Sequence, residues 1–182
     1  MTQAALILVR HGRPKIDPDT PATGWPLCPE GREAVERLAE RLLAYAPTRI
    51  VASPEPKATE TAEIIAVRLG LKVELDAGLH EHKRQHRAFG TEQEFRDSVA
   101  AVFARPAEAV HGGETAHEAA ERIAAALAKH DGQPLVAVTH GTVLSLYLAE
   151  RLGCDAHDLW RSLHMPDAFV LDAEGGLIER IS

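Results

Sequence analysis

Cysteine is scarce in this chain. Cys28 and Cys154 are the only two in 182 residues. They form no CxxC motif, and two thiols make no disulfide framework, so a reduced, cytoplasmic setting is expected. Aromatic residues make up only 4% of the chain. The core must therefore be built from Ala, Leu, Val and Ile, which suits helices packed on a sheet. Long apolar runs are missing too. None approaches the roughly 18 uninterrupted apolar residues of a membrane span, and the opening MTQAALILVRHG lacks the basic start of a signal peptide. Basic charge is also in deficit: 20 Lys and Arg face 27 Asp and Glu, a net charge of −7. That balance argues against nucleic acid or an anionic membrane as partner. It leaves room for a local basic pocket.

The apolar fraction of 45% is ordinary for a globular chain, and the length fits one domain spanning residues 1–182. Leu6–Val9 is a continuous apolar run that reads as a buried strand. It ends in Arg10-His11-Gly12, where sites form in open α/β sheets. A loop rich in Pro, Gly, Asp and Thr follows and carries Arg13 and Lys15. The spacing of Val35, Leu38, Leu42 and Leu43 predicts a helix from Pro29 to Tyr45. Arg49–Ala52 is a second strand, with Ser53 as a candidate cap for a helix over 57–69. Lys57 falls in its first turn, where a cation opposes the helix dipole unless an anion sits nearby.

Lys72–Leu75 reads as a third strand, and a polar stretch with Glu81, Lys83, Arg84 and Arg87 follows it. Helices are expected over 92–104 and 116–130, the second opened by a Thr115–Glu118 capping box. Leu135–Thr139 repeats the opening pattern, a buried strand running into His140-Gly141 and then an apolar helix. Ala168–Leu171 and Leu177–Ile181 flank Glu174-Gly175-Gly176 as a hairpin. The alternation predicts an α/β fold: a three-layer sandwich with a mostly parallel central sheet, helices on both faces, and a C-terminal antiparallel hairpin.

Parallel neighbouring strands would bring His11 and His140 to one sheet edge, joined by Arg10, Lys57 and a carboxylate from the polar loop. Two imidazoles and two cations suit a dianion such as a phosphoryl group. The run His80, His82, His86 has a spacing unlike a helical metal motif such as H-E-x-x-H, so neither a metal nor another cofactor is expected.

The segments VRHG at 9–12, LCPEGREA at 27–34, ASPEPKATETA at 52–62, GLHE at 78–81, HGGET at 111–115 and VTHG at 138–141 occur in an order that resembles the histidine phosphatase superfamily, in its phosphoglycerate-mutase-like branch. The resemblance covers nearly the whole chain. It implies a metal-independent phosphatase acting on a phosphorylated small molecule. His11 would be the nucleophile, and Arg10, Lys57 and His140 would bind the phosphoryl group. Glu81 would be the general acid and base, with Asp76 or Glu114 as other candidates for that role. Glu114 would otherwise orient the site or touch substrate. Arg84, His86 and Arg87 would reach the remote part of the substrate or be solvated loop charges, and Arg13 would bind substrate or be a solvated surface charge. Mutase-type phosphoryl transfer and non-catalytic binding of a phosphoryl ligand are the alternatives. The chain departs from the family pattern at Lys57, where Arg is usual, and at Pro14 and Asp17, where Thr and Asn are usual. These departures imply a divergent subgroup with altered substrate preference or weaker activity.

Overall fold

The computed structural model describes residues 4–85, 90–130 and 134–182. Six strands, β1 (Leu6–Arg10), β2 (Arg49–Ala52), β3 (Val73–Leu75), β4 (Leu135–Thr139), β5 (Asp167–Leu171) and β6 (Leu177–Ile181), form one sheet in the order β3-β2-β4-β1-β5-β6. The first four in that order run parallel, and β5 and β6 are antiparallel. The helices are α1 (Pro29–Leu42), α2 (Pro56–Leu69), α3 (Glu92–Ala104), α4 (Ala116–Ala128), α5 (Gly141–Leu152) and α6 (Ala156–Ser162). The fold is the α/β sandwich expected from the alternation of elements.

Successive strand residues point to opposite faces, and each face is covered. Ile7, Val9, Val136 and Val138 pack with Val35, Leu38, Ala62 and Ile65 of α1 and α2. Leu8, Ala137 and Phe169 pack with Ile123, Leu144 and Leu148 of α4 and α5. A strand covered on both sides needs no polar alternation, which is why β1 and β4 read as unbroken apolar runs.

Local chemistry sets the helix boundaries. Pro29 opens α1 behind Cys28, whose Sγ accepts from the Gly31 N–H at 3.3 Å. The helix stops at Leu42, and Leu43–Tyr45 tighten into a 3-10 turn rather than continuing it. The capping box at Thr115 and Glu118 is present, and α4 ends at Ala128, short of the expected His130. Ser53 does not cap α2. The capping position is Glu55, without a side-chain cap, because the helix starts at Pro56, immediately after Glu55 and beyond the reach of a Ser53 cap. The short α6 was not expected. It opens on Asp155, whose carboxylate accepts from the Asp158 N–H at 2.8 Å.

Candidate active site

Parallel pairing of β1 with β4 places Arg10 opposite Thr139. The next residue after each strand is a histidine, and the two imidazoles lie edge to face with centroids 5.1 Å apart. Both are buried. His11 Nδ1 lies 2.7 Å from the Gly12 carbonyl oxygen. A carbonyl only accepts, so Nδ1 carries the proton and Nε2 keeps its lone pair. Burial, with the charges of Lys57 and Arg10, holds the His11 pKa well below the usual histidine range. The ring is thus neutral and nucleophilic at physiological pH.

His140 is also held well below that range, first by burial and then by His11, Lys57, His80 and Arg10. Its Nε2 lies 2.8 Å from Ser53 Oγ and 3.4 Å from Glu55 Oε1. Its Nδ1 is buried with no hydrogen-bond partner. Arg10 donates from Nη1 to the Leu163 and His164 carbonyls, each at 3.3 Å, while its buried Nε is also unpartnered. Burial lowers the guanidinium pKa, against the pull of Glu81 and Asp167. The guanidinium lies over Gly141, where a Cβ would come within 3.2 Å of Nε. The glycine of the VTHG segment therefore makes room for Arg10.

Glu81 sits over the first turn of α5. Its carboxylate accepts from the N–H groups of His82 at 2.8 Å, Thr142 at 3.2 Å and Val143 at 3.3 Å. The loop carrying it is fastened by Glu114 and Arg122. Arg122 pairs with Glu114 at 2.6 Å and 3.1 Å and donates to the carbonyls of Gly78 and His80. The Lys83 N–H donates to the same carboxylate at 2.9 Å. Burial alone would push the Glu114 carboxyl up, but Arg122 and the Lys83 N–H outweigh it and leave it lowered. Glu114 therefore fastens the loop that carries Glu81 to α4. The neighbouring glycines have φ of +68° and +82°, and a Cβ on Gly113 would lie 2.5 Å from the Lys83 carbonyl oxygen. Close passage of the two loops explains the HGGE spelling.

The structure thus brings together Arg10, His11, Lys57, Glu81 and His140, with Arg84 beside them. Arg84 is desolvated, feels the charge of Glu81, and donates to Thr142 Oγ1 at 3.1 Å. Arg13 does not join the group. Its side chain is exposed and acts on Glu30 at the start of α1. His86 and Arg87 lie outside the described residues. Asp76 instead pairs with Lys129 at 3.1 Å and accepts from the Gly78 N–H. Asp17 is exposed, and its carboxylate accepts from the Asp19 N–H and the Thr20 hydroxyl within its own loop. These bonds lower its pKa.

Sequence reasoning missed four residues. Ser53 and Glu55 contact His140, Arg122 fastens the Glu81 loop, and Thr61 accepts from the Gly12 N–H at 3.0 Å. Glu55 binds the Lys57 ammonium at 2.7 Å. Only the unusual Pro-Glu-Pro setting of Glu55 marks it in the sequence.

A family model described as the histidine phosphatase superfamily (branch 1) matches residues 6–173. The chain belongs to the histidine phosphatase superfamily. Among relatives, a probable phosphoglycerate mutase GpmB of Enterobacter sp. (strain 638) is 28% identical over 164 residues, covering 82% of this chain and 75% of that protein. The phosphoglycerate mutase-like protein 4 of Arabidopsis thaliana is 31% identical over 160 residues, covering 79% and 70%. The histidine phosphatase fold is matched by a phosphoserine phosphatase of Entamoeba histolytica in complex with 3-phosphoglyceric acid. That match has a TM-score of 0.74 and 20% identity and covers 97% of this chain and 96% of that one. A mycobacterial glucosyl-3-phosphoglycerate phosphatase matches with a TM-score of 0.70, 24% identity and coverage of 96% and 97%. No helix among the described residues of this histidine phosphatase family member is long and apolar enough to cross a membrane.

Proposed function

We propose that the protein is a metal-independent phosphatase that hydrolyses a phosphate monoester through a phosphohistidine on His11. The observation that carries this reading is the pair of buried, unpartnered nitrogens, Arg10 Nε and His140 Nδ1, beside an imidazole with its lone pair fixed on Nε2. Buried polar groups are almost always hydrogen-bonded. Two orphans flanking a nucleophile fit a site that a phosphoryl anion completes.

In this reading His11 Nε2 attacks phosphorus and the bond to the leaving oxygen breaks. Arg10 holds the equatorial oxygens, and its planar fork suits their geometry. His140 donates to an oxygen that gains charge, once Nδ1 carries a proton. Glu81 gives a proton to the leaving oxygen. It then takes one from the water that attacks the phosphohistidine, releasing phosphate and restoring His11. Positioned charge does most of the work in phosphoryl transfer, and proton transfer adds typically about 10²–10⁴-fold. The substrate is a phosphorylated small molecule, like the glucosyl-3-phosphoglycerate and phosphoserine for which the two solved phosphatases are named.

The names of the relatives favour a second reading, mutase-type phosphoryl transfer. The stretch 82–113, between the acid and Glu114, is short for a site that must exclude water, which favours hydrolysis. Phosphate release from p-nitrophenyl phosphate and a panel of phosphate esters separates the readings. Release by the wild type that His11→Ala abolishes supports the phosphatase. Isomerisation of a phosphoglycerate primed by a bisphosphoglycerate, without release, supports the mutase. No turnover in either assay overturns both.

A further inference from the structure

Glu55 stands in the turn between β2 and α2, and its side chain is 10% exposed. One oxygen, Oε2, binds the Lys57 ammonium at 2.7 Å. The other, Oε1, accepts from the Glu81 N–H at 2.9 Å and lies 3.4 Å from His140 Nε2. The Lys57 ammonium also donates to the Ala22 carbonyl at 2.7 Å. The second cation of the site is therefore already paired and anchored. One carboxylate ties it to the second imidazole and to the backbone of the general acid.

Resting on the reading above, we infer that Glu55 is a positioning residue that supports a protonated His140 when the phosphoryl anion arrives, with Lys57 serving as the counter-ion of Glu55 rather than as a phosphate ligand. In the resting state His140 is neutral, and a carboxylate beside Nε2 places its one proton on that nitrogen. Nδ1 then presents a lone pair, and a lone pair repels an anionic oxygen. For His140 to hold the phosphoryl group, one proton from solvent must add to Nδ1. The imidazolium then donates from Nδ1 to the phosphoryl oxygen and from Nε2 to Ser53 Oγ and toward Glu55.

The groups facing His140 come from three places: Arg10 at the end of β1 with His11 just after it, Glu55 and Lys57 at the start of α2, and His80 with Glu81 after β3. The cations oppose protonation. Glu55 offsets Lys57 and lends a negative charge to the far edge of the ring, and a nearby opposite charge favours the charged form of a titratable group. Anion binding is therefore coupled to uptake of a proton, and Glu55 sets the strength of that coupling.

The test is calorimetric titration with tungstate, a dianion near neutral pH, in two buffers of different ionisation enthalpy. The dependence of the heat on buffer counts the protons taken up. Wild type takes up close to one proton per tungstate and Glu55→Asp keeps most of it, while Glu55→Gln takes up less than half and His140→Gln almost none. A buried ammonium left unpaired by Glu55→Gln endangers folding. The double variant Glu55→Gln/Lys57→Met removes both charges, and its uptake falls below wild type but less than in Glu55→Gln, because the ammonium that opposed protonation is gone as well. Uptake in either variant equal to wild type overturns the inference, as does absence of tungstate binding or of proton uptake in the wild type. Proton-coupled binding in a protein that turns over no ester overturns the hydrolase reading and leaves the role of Glu55 standing. An active hydrolase without uptake overturns only the role of Glu55.

Discussion

Two neutral imidazoles in a buried pair tie stability to pH at the residue scale. An unfolded histidine takes up a proton near pH 6.5. His11 and His140 in the folded chain resist it until well below that value. The stability they contribute is therefore whole above the unfolded value and is lost as the pH falls toward the folded one. The loss is about 1 kcal/mol per pH unit for each histidine across that window. His80 and His82 are shifted the same way, chiefly by burial. Urea unfolding should show a steep fall in midpoint through the weakly acidic range, and His140→Gln should flatten it by one histidine's share. A slope unchanged by His140→Gln would show that the ring is not buried as a neutral base. The two histidines were legible because each follows a buried strand and precedes glycine. The partner of Lys57 was not. Glu55 lies two residues before it in a non-helical turn, and no spacing rule says that its carboxylate folds back over the ammonium and reaches across to β4.

Arg122 acts at the scale of elements, binding α4 to the loop that carries Glu81. Its guanidinium pairs with Glu114 and covers two loop carbonyls. Arg122→Ala leaves the Glu114 carboxylate largely buried without its counter-ion and with only the Lys83 N–H to bond, a loss of about 3 kcal/mol. The loosened loop should cost roughly 10² in kcat, as small misplacements of reacting groups do. A melt and a kinetic comparison against wild type check both effects, and wild-type kcat in a folded Arg122→Ala would contradict the clamp. Gly113→Ala should destabilise the same loop, because its Cβ meets the Lys83 carbonyl at a positive φ. Thr115→Ala removes the α4 cap for about 1 kcal/mol. The cap was legible from a four-residue motif. The clamp was not, because Glu114 and Arg122 meet the loop only once α4 has packed beside it. The short α6 lacked enough apolar periods to declare itself.

The whole molecule rests on a sheet with two separate cores. Ile65 belongs to the core under α1 and α2, and Ile123 to the core under α4 and α5. Both are fully buried. Ile65→Val and Ile123→Val should each cost about 1 kcal/mol. The two costs should add to within about 0.5 kcal/mol, because the side chains share no partners across the sheet. A larger coupling in urea unfolding of the double variant would show that the faces do not pack independently. Strand–helix alternation made the layers legible. It did not give the strand order, since β4 inserts between β2 and β1 only through long-range pairing. That insertion sets His140 beside His11, so the site depends on the part of the topology that local pattern leaves open.

The proposed attack by His11 Nε2 leaves a phosphohistidine, and trapping the phosphoenzyme detects it. Wild type quenched during turnover of a labelled phosphate ester should carry an acid-labile, base-stable label on His11. NMR of the trapped protein should place the phosphoryl group on Nε2, because Nδ1–H is held by the Gly12 carbonyl. An active enzyme that carries no label, or carries it on another residue or on Nδ1, would exclude attack by His11 Nε2.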